Sequence, residues 1–262
     1  ERDLPELDAV INLAGEYIGL NRWTESQKQR VKQSRIRGTE LLARTLADQP
    51  QPPHSLLCAS AVGYYGHCGD VPVSEEHSAG KDFISEVCQD WETATTVAKD
   101  AGIRTVLMRL GVGLTPAGGA LERILRSSRA GCIRCCGLGT QYVSWISLND
   151  MIGAILHLLT QENIAGPVNI AAPVPVTNAE LMATVARVTG RPLLLPIPAS
   201  LLLLLYGQMA QEILLSGCRV NIDKLVESGY SFRHQTLETA LREMLGRPDQ
   251  AQIQTVEGEN KP

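Results

Sequence analysis

The chain has no excess of basic charge. Its 24 Lys and Arg stand against 28 Asp and Glu, a formal net charge of -4 at pH 7. A protein that holds nucleic acid by neutralising phosphates needs a basic surface, so no nucleic-acid partner is expected. A cysteine framework is missing too. The seven cysteines are an odd number without regular spacing, and 262 residues can build a core without disulfide staples. That points to a reducing, cytoplasmic compartment. Cys132, Cys135 and Cys136 invite a zinc reading. A structural site takes about four ligands, and no second Cys-x-x-Cys or His pair completes one, so no metal is expected. An unbroken apolar run of bilayer length is also lacking. Leu193 to Leu215 is the most apolar stretch, but Pro196 and Pro198 interrupt it and Gln208, Gln211 and Glu212 follow. A span takes about 20 uninterrupted apolar residues, so this is expected to be a packed helix capped near Ser200, with no membrane partner. No signal peptide is recognisable, and the residues before Val10 hold no glycine-rich turn.

What is present is an alternation of strands and helices. Ala9–Leu13 reads as an apolar strand that stops at the small-residue turn of VINLAGE, Val10 to Glu16. A helix from about Thr24 to Leu46 opens with Thr24-Glu25-Ser26-Gln27, which has capping-box form. Ser55–Ala59 is a strand ending in SAVGYYG, and a helix spans about Asp82–Asp100. Thr105–Leu110 is a strand followed by GVGLTPAGG, and a helix lies near Ala120–Arg129. Val143–Ser147 reads as a short strand, and Asn149 or Asp150 as the cap of a helix to Thr160. Val168–Ile170 is a further strand, Thr177 caps a helix to Thr189, and the remainder is mainly helical to Gly246. This order predicts an α/β fold with a doubly wound parallel sheet. Such sheets bind ligands at the carboxyl ends of their strands, so LAGE, SAVGYYG and RLGVGL should meet at one crevice.

These strand ends, in this order, resemble the extended short-chain dehydrogenase/reductases. NLAGE is similar to their ribose- and pyrophosphate-lining turn, SRIRGTELLA to the "N-V-x-G-T-x-x-L-L" helix and SAVGYYG to the serine strand end. TVLMRLGVGL is similar to the "R-x-x-x-V-x-G" strand, and WISLNDMIGAIL to the element that begins the substrate half. GYYG, the Cys88-x-x-Trp91-Glu92 run, TPAGGAL, NIAAPVPVTNAEL and SGCRVNIDKLVESGYSF resemble one poorly characterised branch, the "epimerase family". The resemblance runs to about Gly246. It implies a Rossmann-like NAD(P)-binding domain over residues 1–195, a small, mainly helical substrate-side domain over 196–246, and a disordered tail over 247–262. Family members open with a "G-G-T-G-F-I-G" loop whose backbone N–H groups hold the pyrophosphate at a helix amino terminus. No such loop precedes NLAGE, so the chain reads as amino-terminally truncated, with a natural short form as the other reading.

The superfamily uses Ser or Thr, Tyr and Lys. A nearby ammonium lowers the pKa of the Tyr acid/base, and the Ser hydroxyl holds the substrate oxygen. Ser60 sits at the matching strand end, with a one-residue ambiguity in register, and a backbone cap is its bland reading. The Tyr and Lys positions fall on Ile84 and Cys88, which cannot do the usual job. Tyr64 or Tyr65 is an alternative acid, though packing is the commoner role, and Cys88 reads as a core thiol rather than a nucleophile. Arg35 stands where the superfamily has Asn; its guanidinium suits a dinucleotide phosphate, against the bland reading of a solvated helix face. Gly113 has the backbone freedom to pass close to a nicotinamide ring, against a plain turn. Leu13, Ala14 and Gly15 are expected to offer backbone contacts under the ribose and pyrophosphate. Asp150 reads as a helix cap before a ligand. Two functions remain open: an epimerase-like oxidoreductase using NADP, or NAD, on a small-molecule substrate, and a non-catalytic dinucleotide-binding protein. A homo-oligomer is compatible with either.

Overall fold

In the computed structural model, which describes residues 6–19, 22–128 and 131–247, four short strands form the expected parallel sheet. They are β1 (Ala9–Asn12), β2 (Ser55–Ala61), β4 (Arg104–Leu110) and β8 (Gly166–Ile170), in the order β1-β2-β4-β8. The register sets Val10 beside Leu56, Leu57 beside Val106 and Met108 beside Val168. Both faces of the central strands are covered, which is why they read as nearly continuous apolar runs. Side chains alternate across the sheet. Leu56 and Cys58 pack with Trp91, Ala43 and Leu46 on one face, while Leu57 and Met108 pack with Ile155 and Leu158 on the other.

The connections supply the helices. α1 (Glu25–Ala47) joins β1 to β2. A 3-10 turn (Val62–Tyr65), β3 (Pro72–Val73), α2 (Phe83–Thr93) and α3 (Thr96–Asp100) lead to β4. Then come β5 (Val112–Thr115), α4 (Gly119–Ser127), β6 (Tyr142–Val143), β7 (Trp145–Ser147) and α5 (Leu148–Thr160), ahead of β8. β9 (Val176–Thr177), α6 (Asn178–Thr189), α7 (Ala199–Tyr206), a π-helical turn (Ala210–Leu214), β10 (Arg219–Val220), α8 (Asp223–Glu227) and α9 (Leu237–Met244) complete the described chain. Local capping sets several boundaries. Thr24 accepts from the Gln27 N–H, Asp82 from the Ser85 N–H, and Thr177 with Glu180 forms a reciprocal capping box.

Four expectations are corrected. The helix expected over Asp82–Asp100 is two helices, broken between Thr93 and Thr96. Ser147, not Asn149 or Asp150, caps α5, because its hydroxyl accepts the Asp150 N–H. The strand expected over Val143–Ser147 divides: β6 pairs antiparallel with β9, while β7 pairs parallel with β5. The leucine-rich stretch is not a fully packed helix. α7 ends at Tyr206, capped by Gly207, and buries Leu202, leaving Leu204 and Leu205 exposed. The tail expected over 247–262 lies outside the described residues from 248 onward.

Asp150 anchors the carboxy-terminal segment rather than capping a helix. Its Oδ2 meets Ser147 Oγ at 2.8 Å and His234 Nδ1 at 2.9 Å, and its Oδ1 accepts the Arg233 N–H at 2.7 Å. His234 Nε2 reaches Glu243 on α9 at 3.1 Å. Burial alone would raise the Asp150 pKa, but the Arg233 N–H, Ser147 and His234 together hold it below the usual carboxylate range. A folded pKa lower than the unfolded one gives stability that is full above about pH 4 and drains away as pH falls through the lowered value. Urea melts between pH 7 and pH 3 should therefore lose stability on acidification, and Asp150→Asn should flatten that slope. An unchanged slope would remove Asp150 as its source.

Candidate functional site at the strand ends

The carboxyl ends of β2 and β4 open into one cavity of about 390 Å³. Ala61, Val62 and Gly63 form one wall and Leu110 to Gly113 another. Tyr142, Val143 and Ser144 close a third side, while Glu212, Ile213 and Ser216 to Cys218 reach over from the carboxy-terminal region. Tyr17 to Gly19 line the side nearest β1. Two of the three strand ends expected to converge thus do so directly. The third, LAGE, does not line the cavity, which begins on that side at Tyr17; Leu13, Ala14 and Gly15 are exposed, and the Ala14 N–H is held by Asn12 Oδ1 at 3.2 Å.

Behind the wall lies a buried polar network. Arg109 forms two parallel bonds to Glu92, Nε to Oε1 and Nη2 to Oε2, both 2.9 Å. Its Nη1 donates to the Tyr65 hydroxyl at 3.0 Å, and Tyr65 donates to Asn169 Oδ1 at 2.7 Å. The Arg109 guanidinium also stacks 3.6 Å from the Tyr64 ring centre. Burial raises the Tyr65 pKa to about 12, and neither Tyr64 nor Tyr65 lines the cavity.

Ser60 belongs to this network. Its hydroxyl donates to Glu92 Oε1 at 2.6 Å, and its side chain is buried. The hydroxyl is thus turned to Glu92, and Ser60 is not among the residues that line the cavity. The register pairs Ser60 with Arg109 across β2 and β4, which sets its side chain on the Glu92 side, while Ala61 and Val62 line the cavity. Ile84, which the sequence pattern sets at the Tyr position, lines the cavity, and its Cγ2 would stand 2.5 Å from a Cβ on Gly63. Cys88 is one turn deeper. Burial pushes its thiol up to about 12, the Glu92 charge adds to this, and Arg35 opposes it. A thiol so far from ionising is a core side chain, not a nucleophile.

The structure brings Arg35 and Gly15 together. A Cβ on Gly15 would stand 3.1 Å from Arg35 Cζ, so glycine lets the guanidinium lie under the turn. Arg35 Nη1 donates to the Glu16 carbonyl at 2.9 Å, its guanidinium lies 5.0 Å from the Trp91 ring centre, and burial lowers its pKa. Gly113 shows the cavity its backbone, because a Cβ there would point at Met151 Cε, 3.0 Å away. Sequence reasoning named Glu92 only as part of a pattern and missed Tyr142 to Ser144 and Glu212 as cavity walls. Glu212 Oε2 accepts the Ile84 N–H at 3.0 Å, a contact spanning 128 positions that carries no local signal.

Comparison with known proteins agrees with this geometry. Residues 2–171 match the NAD dependent epimerase/dehydratase family, and residues 197–244 match a domain of unknown function, DUF1731. An epimerase family protein of Mycobacterium tuberculosis, MT2273, is 42% identical over 245 residues, covering 94% of this chain and 81% of that protein. The crystal structure of human epimerase family protein SDR39U1, isoform 2, with NADPH, has a TM-score of 0.88 at 32% identity, covering 94% of this chain and 84% of that one. A nucleoside-diphosphate sugar epimerase from Corynebacterium glutamicum has a TM-score of 0.74 at 33% identity, covering 96% of this chain and 49% of its own. With a parallel sheet, a cavity at its strand ends and these matches along both parts of the chain, the protein belongs to the NAD dependent epimerase/dehydratase family.

Proposed function

We propose that the chain is a cytoplasmic, NADP(H)-binding oxidoreductase acting on a small molecule. The observation that carries the reading is the apolar cavity at the ends of β2 and β4, reached on the β1 side by Tyr17 to Gly19, which follow the exposed backbone of Leu13 to Gly15 in sequence. The likeness to the human protein crystallised with NADPH supports NADP over NAD. The residues fit the nicotinamide half of such a cofactor. Leu13, Ala14 and Gly15 offer backbone under the ribose and pyrophosphate, Arg35 offers a guanidinium beneath Gly15, and Gly113 offers a flat wall without an intruding side chain. Bound there, the cofactor supplies or accepts a hydride. Arg35 also sets a positive charge beside Cys88, the position where the superfamily carries its lysine. Ser60 acts as a positioning residue: it holds Glu92, which holds Arg109 behind the cavity wall. The region from residue 196 serves as the substrate-side lobe.

Fluorescence titration with NADPH and NADH tests the reading. Saturable NADPH binding is expected, tighter than NADH, and Arg35→Ala should weaken it about tenfold or more, the worth of one charge-assisted hydrogen bond. Absence of binding to either nucleotide would refute it. A second reading, a dinucleotide-binding protein without catalysis, is favoured by one observation: Ile84 and Cys88, which the sequence pattern sets at the Tyr and Lys positions, are buried on α2, and neither is an acid of ordinary pKa. Hydride transfer from bound NADPH to any compound in a carbonyl panel would remove that reading.

A further inference from the structure

We infer that the cavity takes a small, uncharged alcohol, or the carbonyl compound related to it by oxidation, and excludes nucleotide sugars. The inference rests on the oxidoreductase reading above and names its substrate class. Size is the first argument. About 390 Å³ lies near the lower end of small-ligand pockets, and the nicotinamide end of a cofactor shares that space. The walls are the second. Ile18, Val62, Ile84, Leu110, Val143 and Ile213 give most of the lining an apolar character.

Charge is the third argument. Among the described lining residues the charged side chains are Asp82 and Glu212, both acidic, with no Lys or Arg. Asp82 Oδ1 accepts the Ser85 N–H at 2.8 Å, and Glu212 accepts from Ile84 N at 3.0 Å and Gln208 Nε2 at 2.6 Å. Each carboxylate has lone pairs left for a hydroxyl donor. A diphosphate would instead meet two like charges inside a cavity of low dielectric. Two arginines stand against lining residues without entering the lining itself. Arg123 donates to the Gly19 carbonyl and lies 5.2 Å from the Tyr17 ring centre, while Arg219 lies 5.8 Å from that of Tyr142.

Isothermal titration calorimetry on the full chain loaded with NADPH tests this, with 2-naphthalenemethanol and UDP-glucuronic acid as probes. The alcohol is expected to give saturable heat and the nucleotide sugar none up to about 1 mM. Glu212→Gln should weaken alcohol binding about tenfold, the difference between a charged and a neutral acceptor. Saturable heat from UDP-glucuronic acid, or none from the alcohol, overturns the inference with wild-type protein alone. Failure of NADPH itself to bind strikes the oxidoreductase reading and this inference with it, an outcome seen before either probe is added.

Discussion

Glu92→Gln is expected to cost the fold about 3–5 kcal/mol, because it leaves the buried Arg109 guanidinium without its counter-charge. The pair is almost fully enclosed, with Arg109 3% and Glu92 10% exposed, and its two parallel 2.9 Å bonds tie α2 to β4. Glutamine keeps an oxygen for Ser60 but loses the charge. For a chain of this length the loss should appear as a fall of about 2–4 °C in melting temperature per kcal/mol. The exposed pair Lys32–Asp90, 2.6 Å apart with side chains 40% and 47% exposed, provides the control. Lys32→Ala should cost under about 1 kcal/mol, since solvent screens such contacts. Equal losses from both variants, measured by urea denaturation, would show that burial of the Arg109 pair carries no special weight. Replacing both members, as in Glu92→Leu with Arg109→Met, should recover part of the loss, because two apolar side chains leave no unpaired charge. Recovery stays partial, since Ser60 and Tyr65 lose partners.

Gly217→Ala is expected to have the second large effect, on the cavity as well as on stability. A Cβ at that position would fall 1.9 Å from the Tyr142 carbonyl oxygen and 3.0 Å from its carbon, and backbone cannot swing aside as a side-chain end does. Relief requires the Ser216–Cys218 segment to move off β6, which opens a wall of the cavity. Overpacking of this kind costs about 1–3 kcal/mol. NADPH affinity should fall with it, by an order of magnitude if the shifted segment supplies a binding wall. Gly118→Ala is the control: nothing lies within 4 Å of its added Cβ, and its φ of -177° is ordinary extended backbone. Gly217→Ala that melts and binds like wild type would mean that the carboxy-terminal segment tolerates displacement.

The parts of this protein readable from its residues are those decided within a few positions. Thr24, Asp82 and Thr177 announce helix starts because an N-cap bond spans three residues. The strands of the sheet are legible as short apolar runs because both their faces are covered. The break between α2 and α3 was missed, since Thr93 to Thr96 contains neither proline nor glycine. The exposed leucines of α7 were misread as packed, because apolar composition does not say whether a neighbour is present to cover it.

The candidate site divides in the same way. The pattern of strand ends was visible in the sequence and determined the family and the fold class. The direction of Ser60 was not, because it depends on which residue of β4 stands beside it, and Arg109 is 49 positions away in the chain. Nor was the joining of Asp150 to His234, or of Glu212 to the start of α2, since those bonds close loops of 84 and 128 positions. Local hydrogen bonding and burial pattern are written residue by residue, so the sequence by itself determined where strands and helices lie. Which side chains face the cavity and which are committed behind it follows from strand register and long-range packing, and only the tertiary structure decided that.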